Sequence, residues 1–199
     1  MKKLLLLVFG LSFTALSYSQ FADGAVKLNL FAVVVGQYQL GYEHALNENS
    51  SVQLSAGIIS RTWDGGVDFG GGLNSSFEQK NSGFIVIPEY RYYFAGEALK
   101  GVYAGAFARY RSSSIEYTTT SGTESTTSEF SRSAVGGGAI LGYQFIISDK
   151  VLIDLFLGPQ YKSVSTTVDV ASDDFDLNLL EGESDGVGLR FGLNFGITL

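Results

Sequence analysis

Two sets of charged side chains and one imidazole hold most of the chemistry open to this chain. The first set is Lys27, Glu43, Arg61, Glu89, Arg91, Arg109, Arg111, Asp154, Lys162 and Arg190, spread across the whole sequence. The second is local. Asp169, Asp173, Asp174, Asp176, Glu181, Glu183 and Asp185 fall between Ser163 and Gly186, a segment without Lys or Arg. The imidazole is His44, the single histidine. A hydrolase would need a nucleophile, a base and a group that orients the base. One histidine, no cysteine and loop carboxylates without fixed spacing do not compose such a site. The run Gly70-Gly71-Gly72 lacks the strand-to-helix setting of a nucleotide loop, and no zinc spacing occurs. Asp173-Asp174-Phe175-Asp176 offers oxygen ligands of the kind Ca²⁺ takes, but not at EF-hand spacing. The expectation is a non-enzymatic protein with no catalytic, cofactor-binding or metal-binding residues.

The elements that must position these charges alternate with a period of two. From Gly186 to Leu199 the odd positions are bulky and apolar (Val187, Leu189, Phe191, Leu193, Phe195, Ile197, Leu199) and the even ones are Gly or polar. That period is a β-strand with two chemically different faces. So long an apolar face suits contact with lipid, and the strand is expected to close the structure. Similar segments are Val26–Val35, Gln37–Leu46, Ser51–Thr62, Gly83–Phe94, Val102–Ser112, Arg132–Ile147 and Val151–Ser163. Most are near the ~9–11 residues that a tilted strand needs to cross a bilayer. The connections at Asn47–Ser50, Ala95–Gly101 and Ser148–Lys150 are short, whereas Trp63–Ser82, Ser113–Ser131 and Val164–Gly186 are long and polar. The connection around Gly36 is the exception, being very short. Short turns on one side and long loops on the other form the pattern of transmembrane barrels, with periplasmic turns and extracellular loops. The Ser and Thr alternation around Thr118-Thr119-Thr120 and Thr126-Thr127 could continue strands five and six above the membrane.

Charged residues then sort to one face of each strand. A midplane Arg or Lys turned to lipid costs ~2–4 kcal/mol, so these faces point inward. An eight-stranded barrel is just wide enough for side chains to fill. Placed by height, Lys27, Arg91, Glu43 and Asp154 sit near the turn end, Glu89 and Arg190 near the middle, and Arg61, Arg109, Arg111 and Lys162 near the loop end. The lower groups can pair with one another, as buried charges require. For the upper cations, the expectation is that the acidic segment from Asp169 to Asp185 folds partly over the mouth. Charge reversal at Arg109 and Arg111 should then expose that loop to proteolysis. Aromatic residues form two girdles, with Tyr90, Tyr92, Phe94, Tyr143 and Phe145 toward the turns and Tyr38, Tyr110 and Tyr161 toward the loops. His44 falls on an outward face, away from the lumen.

Met1-Lys2-Lys3, the apolar stretch Leu4 to Leu16 and the small residues Ser17 and Ser19 make residues 1–19 a cleavable secretory signal, leaving residues 20–199 as one barrel domain. Gly is abundant at 25 residues while Pro occurs twice, as an all-β chain with close strand approaches requires. The formal charge of −7 argues against nucleic acid as a partner.

The signal, strand rhythm, loop asymmetry and apolar last strand together resemble the small eight-stranded outer-membrane barrels of Gram-negative bacteria, of the OmpX and OmpA-membrane-domain, porin-like kind. Leu28-Asn29-Leu30-Phe31, Gln39-Leu40-Gly41-Tyr42-Glu43 and Asn47-Glu48 look like the start of envelope barrels of this type. Leu199 stands where many such proteins end in Phe. The resemblance implies an all-β, eight-stranded antiparallel up-and-down transmembrane β-barrel in the outer membrane. It implies outer-membrane lipid and lipopolysaccharide as surroundings and the barrel-assembly machinery as a partner in biogenesis. Three roles follow as alternatives: an envelope-integrity or surface-binding protein with a filled lumen, a narrow channel for ions or small solutes, and a soluble lipocalin-like barrel with its apolar face inside.

Overall fold

A computed structural model describes residues 24–68, 74–121, 124–148, 150–170 and 185–199. The expected signal segment lies outside them. The strands are β1 (Gly24–Asn29), β2 (Gln37–Asn47), β3 (Ser50–Asp68), β4 (Asn74–Tyr93), β5 (Gly101–Ser121), β6 (Glu124–Ile147), β7 (Val151–Val170) and β8 (Gly186–Thr198). Each pairs antiparallel with its neighbour in sequence, and β8 returns to β1, so the sheet closes as an eight-stranded all-β barrel. No helix among the described residues is long and apolar enough to cross a membrane.

The alternation fixes the faces as expected. Lys27, Glu43, Glu89, Arg91 and Asp154 are buried inside, whereas Leu40, Leu54, Ile58, Leu141, Leu157 and Leu189 face out. This overturns the lipocalin-like alternative, which put the apolar face in the cavity. Both expected girdles face outward, with Tyr143 and Phe145 in ring contact at 4.3 Å and Tyr92 and Phe94 at 5.7 Å. His44 is also outward and stacks on Tyr42 at 6.4 Å.

Two sequence expectations need correction. The first strand does not run to Val35. It stops at Asn29, whose side chain accepts a hydrogen bond from Ala32 N at 2.9 Å and caps the short helix α1, Leu30–Val34. Asn is a strong N-cap, and Val33-Val34-Val35 has no alternation to sustain a strand. Gly36, at φ +75, then reverses the chain into β2, a backbone region that glycine enters without strain. The second correction concerns the long connections. Most of Trp63–Ser82 and Ser113–Ser131 is paired strand, out to Asp68↔Asn74 and Ser121↔Glu124. Hydrophobic periodicity fades there because neither face is fully buried, yet Thr and Ser pairs keep the ladder. Strands β3 to β7 therefore rise beyond the closed ring as a five-stranded sheet. The continuation of β5 and β6 is as expected; that of β3 and β4 is not.

At the opposite end the turns are tight. Asn49 N donates to Asn47 Oδ1 at 2.9 Å, and Tyr93 N to Asn49 O at 2.7 Å. The connection from β4 to β5 folds under the barrel. Its Leu99 is fully buried and held at φ +68, a conformation that branched side chains rarely adopt.

Candidate functional site

The lower lumen contains one continuous ionic network built from six strands. Lys27 of β1 donates from Nζ to Glu43 of β2, to Gln144 Oε1 at 2.8 Å and to Asp154 Oδ2 at 3.2 Å. Arg91 of β4 reaches Asp154 Oδ2 at 2.9 Å, Gln144 Oε1 at 3.1 Å and Glu43 Oε2 at 3.4 Å through one terminal nitrogen, and Glu89 Oε1 at 2.6 Å through Nε. Arg190 of β8 closes the upper side, donating to Glu89 Oε2 at 2.6 Å. Three cations thus meet three carboxylates, and all but Arg190 are almost completely buried.

Neutral side chains complete the carboxylate shells. Glu43 accepts from the Ser51 hydroxyl and from Tyr93 OH at 2.7 Å. Asp154 accepts from Tyr103 OH at 2.7 Å and Asn194 Nδ2 at 2.8 Å. Gln144 spends its amide on Leu99 O at 2.6 Å, which ties the network to the connection beneath it. Aromatic rings fill the remaining space. The Arg91 guanidinium lies 4.4 Å from the Tyr103 ring centre, and that of Arg190 lies 4.2 Å from Phe107 and 4.7 Å from Phe156. Tyr103 can lie across β6 only because position 142 is glycine. A Cβ there would come within 2.4 Å of the ring.

Of the ten lumen charges expected from the sequence, the structure joins Lys27, Glu43, Glu89, Arg91, Asp154 and Arg190, in the expected layers. It does not bring Arg61, Arg109, Arg111 and Lys162 into that network. Arg61 is exposed and packs over Trp63 at 4.9 Å. Arg109 and Lys162 are half-buried above it, and Arg109 donates to Gln160 Oε1 at 3.5 Å. Arg111 is buried higher on β5. Of the acidic set, Asp169 lies on β7, and Asp185 accepts from Val164 N at 2.5 Å and from the Ser163 hydroxyl at 3.2 Å. Asp185 is thereby spent on fastening β7. Asp173, Asp174, Asp176, Glu181 and Glu183 lie outside the described residues, as does the Ca²⁺ candidate they include. Among the described residues no group of three or more His, Asp or Glu side chains is placed to hold a metal ion. The sequence reading missed Ser51, Tyr93, Tyr103, Gln144 and Asn194 as members of the network. Their signal was strand parity, which turns each of them inward beside a charge.

Above Arg190 the lumen opens into a cavity of about 290 Å³. Inward side chains line it, among them Ile85, Ile87, Phe156 and Arg109, and so do Phe31, Leu189 and Phe191, which stand at the outer surface.

A family model described as "Protein of unknown function (DUF3575)" matches residues 4–169. No curated protein matches the sequence. Among solved structures, Acinetobacter baumannii CarO is similar at 14% identity and a TM-score of 0.42, covering 92% of this chain and 99% of that one.

Proposed function

This chain belongs to the DUF3575 family of proteins of unknown function, and from that premise we propose the role that its own geometry supports. The protein is an integral outer-membrane β-barrel without enzymatic activity. Its lumen is sealed by side chains, and it serves envelope integrity or binds at the cell surface through the sheet that rises above the ring. The observation that carries this reading is the inversion of polarity across the wall: a buried six-charge network inside and a band of Leu, Ile and aromatic side chains outside. Backbone groups in hydrocarbon need internal partners, and a closed ladder supplies them. Residues 1–19 deliver the chain, the barrel-assembly machinery inserts it, and lipid and lipopolysaccharide surround it. The network fills the lower lumen, which disfavours the channel alternative.

The rising sheet supports surface binding. Among the described residues, β3 has no β2 partner beyond Ile59, and β7 has no β8 partner beyond Lys162. The edge of β3 is thereby offered for pairing with an extended segment of a partner, whereas Asp185 already takes the Val164 N–H on β7. Trp63 and Phe77 are exposed on the same sheet.

Fractionation of expressing cells, with electrophoresis of the membrane extract before and after boiling, tests the membrane placement. The expected result is an outer-membrane band whose mobility changes on heating. A soluble protein folded without detergent overturns it. Planar-bilayer recording tests the sealed lumen, with no steady conductance expected; a steady conductance would establish the channel instead.

A further inference from the structure

The open edge of β3 has a fixed hydrogen-bonding side and two unlike faces. Ser60 N donates to Gly36 O at 3.0 Å, and above that bond no strand among the described residues covers this side of β3. Backbone groups along a strand turn alternately to its two sides. The N–H and C=O groups of Thr62, Asp64 and Gly66 therefore point the way Ser60 does, into the open, while Arg61, Trp63 and Gly65 turn theirs to β4. From Thr62 to Gly66 there is neither Lys nor Pro, the residues that commonly guard an edge. On the inner face Trp63 is 57% exposed, and Phe77, directly opposite Gly65, is 49% exposed. Gly65 lets the Phe77 ring lie across β3, because a Cβ at that position would stand 2.6 Å from the ring. Two aromatic rings thus reach the edge. On the outer face Asp64 stands directly opposite Glu78, an unfavourable like-charge pair. The exposed Glu116 and Glu129 oppose each other on the same face, and Lys80, opposite Glu116, is its one cation among the described residues.

We infer that this edge takes an antiparallel strand of a partner protein, with Lys or Arg opposite Asp64 on the outer face and β-branched or aromatic residues opposite Trp63 and Gly65 on the inner one. Thr62, Asp64 and Gly66 supply the main-chain bonds, and the alternate side chains supply the selection. A cation beside Asp64 offsets the carboxylate excess of the outer face, and opposite-charge pairs across strands are favourable. The inner side chains cover the rings of Trp63 and Phe77, and aromatic and β-branched residues pair well across strands. The register has a lower limit. Gly36 already stands against Arg61, where a Cβ on the glycine would lie 3.1 Å from the arginine Cβ, so the incoming strand begins at Thr62.

This inference rests on the surface-binding reading proposed above, and one experiment separates it from the membrane placement. Trp63 is the single tryptophan of the chain, so its emission reports the edge directly. The full-length protein is reconstituted into phosphatidylcholine vesicles, which carry no net charge to attract a cationic peptide. It is titrated with the blocked peptide Thr-Val-Lys-Val-Thr and with the same peptide carrying Glu in place of Lys. The lysine peptide should shift the Trp63 emission saturably, and the glutamate peptide should bind about tenfold more weakly. Methylation of the lysine's backbone nitrogen removes a donor that faces β3 and should abolish the shift. Gly66→Pro removes a donor from the open side, at an edge position where proline is tolerated, and should weaken binding. Asp64→Lys should reverse the preference between the two peptides. An unmoved emission, an equal response to both peptides, or a response that survives backbone methylation overturns the inference. If the band from the same vesicles still changes mobility on heating, the membrane reading stands; a preparation that is soluble without detergent overturns that reading instead.

Discussion

The two ends of the lumen solve the same geometric problem in opposite ways. At the lower end Lys27, Arg91 and their carboxylates are held by partners from several strands, and Leu99 and Gln144 lock the connection beneath them. At the upper end the cations Arg61, Arg109, Arg111 and Lys162 stand apart from that network, the wall loses β1, and a cavity takes its place. Buried charges demand complete pairing because an uncompensated ion in a low-dielectric interior is costly. In the lower lumen each charged group has an opposite charge beside it. Above Arg190 the lumen opens into the cavity lined by Ile85, Ile87 and Phe156.

The largest test of this contrast is Asp154→Leu. It strips a partner from Lys27, Arg91, Tyr103 and Asn194 together. Removing one side of a buried ionic network costs about 3–5 kcal/mol. The urea midpoint of the reconstituted barrel, followed by its electrophoretic mobility, should fall accordingly. An unchanged midpoint would mean that the network is not what holds the lower lumen. Next is Ala106→Arg on the outward face of β5, opposite Ala139 of β6. In lipid it should cost ~2–4 kcal/mol and impair assembly; tolerance would move that face out of the bilayer. A smaller effect is expected of Gly142→Val, which forces the Tyr103 ring out of its seat. Overpacking of this kind costs about 1–3 kcal/mol, and it should broaden the tyrosine near-ultraviolet signal before it lowers the midpoint.

How much of this was legible in the sequence follows from the same contrast. Period-two alternation is a local signal, so the inward placement of Lys27, Glu43, Glu89, Arg91, Asp154 and Arg190, and even their heights, could be read residue by residue. Alternation assigns a face but not a partner. The sharing of Gln144 by Lys27, Arg91 and Tyr93 depends on registers across β1, β4 and β6 that no single segment encodes. Two features were misread because the local signal pointed elsewhere. The apolar residues Leu30–Val35 look like the end of a strand unless Asn29 is weighed as a cap. The polar strand extensions from Trp63 to Ser82 look like loops because alternation is visible only where one face is buried. Leu99 was also beyond reach. A buried leucine at positive φ is imposed by what surrounds it, here the Gln144 amide and the barrel floor.

The smallest and most discriminating test compares two glutamines that face inward at different heights. Gln144 on β6 accepts from Lys27, Arg91 and Tyr93 and donates to the buried Leu99 carbonyl, with no exposed surface of its own. Gln160 on β7 lines the cavity, accepts from Arg109 at 3.5 Å and donates to Leu189 O at 3.3 Å. The first set of bonds is short and enclosed. The second is long and borders open space, where water can replace the amide. Gln160→Ala should therefore lower stability by less than about 1 kcal/mol, within the range of a solvent-replaceable hydrogen bond. Gln144→Ala leaves the buried Leu99 carbonyl without its partner, at about 1–3 kcal/mol, and takes one acceptor each from Lys27 and Arg91, which keep their carboxylates, so its loss should exceed that of Gln160→Ala. The two variants are measured side by side in the same vesicles. Equal losses would show that the upper lumen is as tightly determined as the lower. A wide separation would place the stability of the barrel below Arg190.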